Sequence, residues 1–76
     1  MKVGDRVIGK SSSYKIADKI GTIINIISTI ISVEFDDHIN GHDCPNNPVQ
    51  GKDGHCWNCN EIDLEVTNQE PKYEIY

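Results

Sequence analysis

The chain lacks the features that would assign it to a membrane or secreted class. No segment approaches the roughly 20 consecutive apolar residues that span a membrane, and the hydrophobic content is only 37%. No signal-peptide pattern is present at the N-terminus, where residues 1–5 already have the composition of a turn. We therefore expect a cytoplasmic protein without membrane contact.

Cysteine occurs only three times, an odd number for a secreted disulfide scaffold. Reduced thiols or a metal site fit this count better than disulfides do. The 76 residues form one domain at most. Because so small a core often needs a metal or a second subunit for stability, a homo-oligomer is one alternative.

Positive charge is scarce beyond the first third of the chain, and the formal net charge is −5. From Glu34 onward, ten acidic residues face only two lysines. This balance fits a basic partner protein or DNA mimicry, or it serves solubility alone. Nucleic-acid binding through phosphates needs a basic face, which only the first loop offers, with Tyr14, Lys10, Lys15 and Lys19.

Five short segments predict strands, because β-branched residues are frequent in them. The clearest is 20–27, and the next, 30–35, alternates with Ile31, Val33 and Phe35 on one face. Ser28-Thr29 between these two makes a hairpin connection. The other predicted strands are 7–8, 55–57 and 64–66.

A polar loop of nineteen residues, 36–54, precedes the fourth strand and contains Gly41, Pro45, Pro48 and Gly51. A loop of this length in a small domain is usually functional or disordered. Residues 60–63 predict a short 3₁₀ turn with Asn60 as its cap. Residues 67–76 form a polar tail, which we expect to fray.

Five short strands, one long loop and a 3₁₀ turn before the last strand is the order of an SH3-like barrel. The predicted fold is therefore all-β, a small SH3-like five-stranded barrel over residues 1–66. Its first half resembles small SH3-like and KOW-like domains in Val3-Gly4-Asp5-Arg6-Val7, Ile20-Gly21-Thr22-Ile23 and Val33-Glu34-Phe35-Asp36.

The second half resembles short, mostly uncharacterised proteins encoded by bacteriophages and related mobile elements. The motifs that carry this resemblance are Gly41-His42-Asp43-Cys44, Gly54-His55-Cys56-Trp57 and Asp63-Leu64-Glu65. This chain departs from those proteins at Asn58-Cys59, where they tend to carry an aromatic and an aliphatic residue.

The cysteines and histidines are candidate ligands for a structural zinc, which takes four nitrogen or sulfur ligands. The set would be Cys44, Cys56 and Cys59 with His42, or with His38 or His55 in its place. Against this, Cys56 and Cys59 are three apart on a predicted strand and should face opposite sides. In the alternative without metal, Cys56 is a small core residue and Cys59 a partly exposed thiol.

No complete catalytic constellation is present, so we expect no enzyme. A redox Cys-x-x-Cys would need a helix N-terminus, and Cys44 with His42 and Asp43 is a poorly preorganised nucleophilic set. In the structural alternative, the histidines bind loop backbone and Trp57 belongs to the core. The candidate residues for contact with a ligand or partner are Tyr14, His42, Asp43, His55, Trp57 and Glu61.

The resemblance implies a phage-type binding module in a bacterial host cell. Its expected role is to bind and block a host anti-phage defence protein, as anti-CRISPR and other anti-defence inhibitors do. The first alternative is sequestration of a small nucleotide signal by Trp57 and the glycine-rich loop. The others are a KOW-like nucleic-acid-binding module and a virion or assembly component.

Overall fold

A computed structural model of the chain describes residues 1–13, 15–43 and 51–68. In these ranges it contains five strands, one short 3₁₀ helix and no α-helix, so the predicted all-β class is confirmed. None of the described segments forms a helix that would be long and apolar enough to cross a membrane. The elements are β1 Arg6–Gly9, β2 Ile20–Ile27, β3 Ile30–Phe35, β4 Cys56–Cys59, the 3₁₀ turn Glu61–Asp63 and β5 Leu64–Val66.

The five strands form a single antiparallel sheet in the order β4-β3-β2-β1-β5. Strands β2 and β3 form its central hairpin, and Ser28 in their connection takes a left-handed φ of 55°. The register of this hairpin shifts between Ile23 and Asn25, which marks a β-bulge. Within the described residues no ladder joins β4 to β5, so the sheet is open and is not a closed barrel.

The inner face of the sheet carries one hydrophobic cluster. Phe35 and Val33 are fully buried there, as the alternation along β3 predicts. Ile16 of the first loop and Ile39 of the segment after β3 cover this face. The buried members of the cluster are Val7, Ile16, Ile23, Ile31, Val33, Phe35, Ile39, Cys59 and Leu64.

The outer face is covered by polar contacts and by chain that returns across it. The Arg6 guanidinium donates to the Asp36 carboxylate through its two terminal nitrogens, and Nη1 also donates to Thr22 Oγ1 at 2.8 Å. The Arg6 and Asp36 side chains are only 15% and 6% exposed. Next to this pair, the Lys52 N–H donates to Glu34 Oε2 at 2.8 Å, so the end of the long loop is fastened to β3.

The loop is described at both ends. The N–H groups of Ile39 and Gly41 both donate to Gly54 O at 3.0 Å, and the Gly51 N–H donates to Asp43 O. Residues 44–50 of the predicted loop and residues 69–76 of the predicted tail lie outside the described ranges. The 3₁₀ turn is present as predicted, but the Asn60 side chain makes no capping hydrogen bond.

Candidate functional site

A groove of about 220 Å³ lies between the described part of the first loop, residues 10–13 and 15–19, and strand β4. We call it the Trp57 groove, after the largest side chain in its wall. The first loop, β4 and the 3₁₀ turn each contribute to it, so the first loop meets two elements that lie far along the chain from it. Its lining residues are Ser13, Lys15, Ile16, Trp57, Asn58, Cys59 and Asp63.

The first loop is held as a firm wall of this groove. The Lys10 N–H donates to Asp63 O at 2.9 Å, and Ser13 Oγ donates to Asp63 Oδ1 at 2.8 Å. Ile16 anchors the loop from below, since its side chain is only 3% exposed and belongs to the core. Two hydrogen bonds and one buried side chain therefore fix the width of the groove at this end.

Trp57 is half-buried and already has two contacts with other side chains. The His42 ring stacks on it with a centroid distance of 5.5 Å and an angle of 28° between the planes. Lys15 Nζ lies 4.9 Å from the centre of the indole, within the range of a cation–π contact. The same ammonium donates to Asn40 O at 3.3 Å. These contacts fix the indole in one orientation beside the groove.

The structure brings some of the sequence-predicted contact residues together and separates others. His42 and Trp57 are in contact. Asp43 is the next residue after His42, and its carbonyl accepts a hydrogen bond from the Gly51 N–H. His55 is elsewhere: it is buried, and its Nδ1 is 2.9 Å from Phe35 O. Tyr14 lies outside the described residues.

Glu61, the remaining candidate, lines a different and larger groove of about 500 Å³. Ile62 beside it is 75% exposed, and Ile27 and Ile30 at the hairpin end are about half exposed. This groove contains no ion pair or ring stack among the described residues. We call it the hairpin groove; it is lined by Met1, Ile26, Ser28, Thr29, Ile31, Asn60, Glu61 and Ile62.

The predicted zinc ligands do not converge where they are described. Cys56 pairs with Glu34 on the outer face of β4, whereas Cys59 pairs with Ile31 and joins the inner core, as their spacing predicts. The alternative without metal made Cys59 a partly exposed thiol, and this is wrong, because Cys59 is only 5% exposed. Cys44 lies outside the described residues.

No three His, Cys, Asp or Glu side chains of the described ranges are grouped as metal ligands would be. The histidines make other contacts, since the His38 ring meets the His55 ring edge-on at 5.6 Å. The Cys56–Cys59 pair lies within strand β4, so no helix N-terminus is there to lower a thiol pKa.

Sequence reasoning missed four residues of the Trp57 groove: Ser13, Ile16, Asn58 and Asp63. Ser13 and Asp63 are fifty positions apart in the chain, and neither stands in a motif that signals contact with the other. Lys15 was named only as one of the cations of a nucleic-acid face. Its position over Trp57 depends on how the first loop folds back, which periodicity does not reveal.

Comparisons of the chain with protein families, curated proteins and solved structures give no match. The geometry of the groove and the chemistry of its lining therefore carry the functional argument.

Proposed function

We propose that this protein is a non-enzymatic binding module that acts by direct contact with a partner protein through the Trp57 groove. The observation that carries the proposal is the position and fixed orientation of Trp57 in the groove wall. The indole is partly buried against the core and lines the groove wall, and its orientation is set in advance by His42 and Lys15. Orientated aromatic side chains of this kind are frequent anchors of protein interfaces.

Sequestration of a nucleotide, the first alternative, is less compatible with this geometry. A stacked base would compete with the His42 ring and the Lys15 ammonium for the indole. The groove volume of about 220 Å³ also falls below the roughly 300–1,000 Å³ of sites that enclose small ligands. A protein segment that crosses the groove needs no such enclosure.

A nucleic-acid interface is disfavoured by how the positive charges are used. Lys2 pairs with Asp5, Arg6 pairs with Asp36, and Lys15 contacts Asn40 and Trp57. Three of the five basic residues in the first third therefore have partners inside the protein. With a net charge of −5, few cations remain to neutralise phosphates.

The resemblance noted in the sequence motivates a finer form of the proposal. In this finer form, the open sheet is a variant of the SH3-like class. The protein is phage-encoded, and it blocks a bacterial defence protein by binding to it. The strand order β4-β3-β2-β1-β5 and the 3₁₀ turn before β5 support the fold part. Acidity and small size support the inhibitor part, because a host protein with a basic surface would be attracted at long range.

Site-directed photocross-linking in bacterial cells tests the binding proposal. A photoreactive phenylalanine analogue at Ser12, on the exposed first loop beside the groove, should cross-link one discrete partner. The same analogue at Glu65, exposed on β5 at the far edge of the sheet, is the matched control and should not. Trp57→Ala should abolish the Ser12 product, whereas Ile62→Ala in the hairpin groove should leave it unchanged.

Native mass spectrometry of protein purified without chelator separates the alternatives. The proposal expects no adduct of nucleotide size on the purified chain. A stoichiometric nucleotide that is lost in Trp57→Ala would overturn it in favour of sequestration. Equal cross-linking from Ser12 and Glu65, or a product that survives Trp57→Ala, would show that the groove is not the contact surface.

A further inference from the structure

Among the described residues, the edge of strand β4 opposite β3 is unpaired at Asn58, beside the Trp57 groove. Among the described strands only β3 pairs with it, and on its other side Cys56 exchanges two backbone hydrogen bonds of 2.9 Å with His42. Backbone groups of an antiparallel strand alternate between its two sides, so the N–H and C=O of Asn58 face the same outer side. Among the described residues, neither group has a hydrogen-bond partner.

The alternation is supported independently on the β3 side. The Phe35 N–H donates to His55 O at 2.8 Å. Phe35 and His55 are therefore a hydrogen-bonded pair between β3 and the start of β4. The next such pairs are Val33 with Trp57 and Ile31 with Cys59. Asn58 falls between the last two pairs, and this exposed residue lines the groove.

Beside this edge, the Asp63 carboxylate is the charged group that can bind a cation of the partner. Lys15 is engaged by Asn40 O and by the indole, whereas Asp63 accepts only the Ser13 hydroxyl at Oδ1. Its second oxygen, Oδ2, has no partner among the described residues. Together with the net charge of −5, this favours a basic occupant over an acidic one.

We propose that the partner enters the Trp57 groove as an extended, basic segment that adds a strand to the open edge of β4. Its backbone exchanges hydrogen bonds with the N–H and C=O of Asn58, and a lysine or arginine of the segment binds Asp63. Strand addition to an exposed sheet edge is a general mode of peptide recognition. This inference rests on the proposed function and specifies the chemistry of the partner.

A pair of substitutions at Asn58 isolates the backbone donor. Asn58→Pro removes the outward N–H, which an edge strand tolerates because the ladder to β3 does not use it. Asn58→Ala is the matched control, since it loses the same side chain and its bond with Ser32 Oγ but keeps the N–H. Thermal unfolding of both variants checks that they fold.

The probe is a soluble, end-blocked hexapeptide that alternates lysine and valine, titrated into the 76-residue chain. Fluorescence of Trp57, the only tryptophan, reports binding, and hydrogen exchange reports protection of the Asn58 amide. Asn58→Pro should bind about tenfold more weakly than Asn58→Ala, because only the alanine variant keeps the outward N–H. Asp63→Asn should reduce the affinity and its dependence on salt.

Two N-methylated forms of the peptide test strand pairing without changing the protein. One is methylated at the lysine nitrogens and the other at the valine nitrogens, and only one set faces β4 in a paired strand. One form should therefore lose binding and the other should keep it. This test remains valid if Asn58→Pro fails to fold.

Three results would overturn the inference: no binding of the basic peptide, equal affinities of the two methylated forms, or a matching glutamate–valine peptide that binds as tightly. Cross-linking from Ser12 is independent of these titrations. If it succeeds while the peptide fails, the groove binds a partner in another way. If it fails while the peptide binds, the edge accepts strands but the proposed cellular role is wrong.

Discussion

The inner and outer faces of strand β4 each bury one cysteine, by different means. Cys59 lies in the hydrophobic core and pairs with Ile31 on β3. Cys56 is fully buried, and the backbone of the long loop approaches it closely on the outer face. A Cβ at Gly51 would lie only 2.1 Å from Cys56 Sγ, and the thiol reaches Lys52 O at 3.7 Å.

Two cysteines of one strand can thus both be buried although the two faces of the strand are stabilised by different interactions. The inner face gains free energy from apolar area removed from water. The outer face depends on the Arg6–Asp36 pair and on glycine, which lets the loop backbone approach β4 closely. The two faces should therefore respond differently to substitution.

The largest effect is expected on the inner face. Phe35→Ala should cost about 3–5 kcal/mol of unfolding free energy, because it leaves a cavity among fully packed neighbours. Chemical denaturation measures it, and Phe35→Leu, with a smaller loss, keeps the series measurable if the alanine variant unfolds. Ile30→Ala in the same strand, at a side chain 47% exposed, should change stability by only about 0.5 kcal/mol. Similar losses at both positions would contradict a core confined to this face.

The next effect concerns the ion pair of the outer face. Asp36→Ala leaves the Arg6 guanidinium, 15% exposed, without its carboxylate, and should cost about 2–3 kcal/mol. This is below the roughly 3–5 kcal/mol of a fully buried pair, because Arg6 keeps some solvent contact and Thr22. A double-mutant cycle with Arg6→Ala should show strong coupling. Independent, additive losses would mean that the pair contributes little.

Substitution of Gly51, which lies against Cys56, should cause a smaller loss of unfolding free energy, and a second substitution should partly restore it. Gly51→Ala forces its Cβ onto Cys56 Sγ and should cost about 1–3 kcal/mol by overpacking. In the double variant with Cys56→Ala, part of that loss should be recovered, since the clashing atom is gone. Gly4→Ala is the control, because its φ of 94° causes strain while nothing lies within 4 Å; Cys56→Ala should not change its cost.

The strands could be predicted from the sequence because β-branched residues dominate them. The predicted spans 20–27, 30–35 and 64–66 coincide with the observed strands β2, β3 and β5. Strand β4 was expected at 55–57 but extends to Cys59, since pairing with Ile31 and Ser32 overrides the weak strand preference of Asn58. Closure into a barrel is a property of the whole sheet, which local pattern does not specify.

The candidate site was predictable only in part. Trp57 was named as a ring that a ligand could stack on, and His42 as a candidate zinc ligand and contact residue. The contact of Trp57 with Lys15 was not predictable, since it joins the first loop to β4 across more than forty residues. The alternation rule separated Cys56 from Cys59 correctly. It did not predict that Cys59 is buried, because the core around it includes Ile16 of the first loop.

The smallest effect on stability is expected at the exposed Lys2–Asp5 pair, which belongs to neither face of the sheet. Lys2 Nζ donates to Asp5 Oδ1 at 2.9 Å, and the Lys2 N–H donates to Oδ2 at 3.0 Å. These two bonds hold the pKa of Asp5 below its usual value of 3.8. A carboxyl with a lowered pKa in the folded state stabilises the protein above its unfolded pKa, and this contribution disappears as the pH falls through the folded pKa.

An NMR titration of the Asp5 carboxyl between about pH 5 and pH 2 measures this pKa directly. Lys2→Ala removes the side-chain bond but keeps the backbone donor, so the pKa should rise part of the way toward 3.8. The unfolding free energy at neutral pH should change little, because Lys2 is 83% exposed and solvent-exposed pairs are weak. A loss as large as that of Asp36→Ala would mean that exposure does not separate the two ion pairs, and the contrast between buried and exposed contacts would fail.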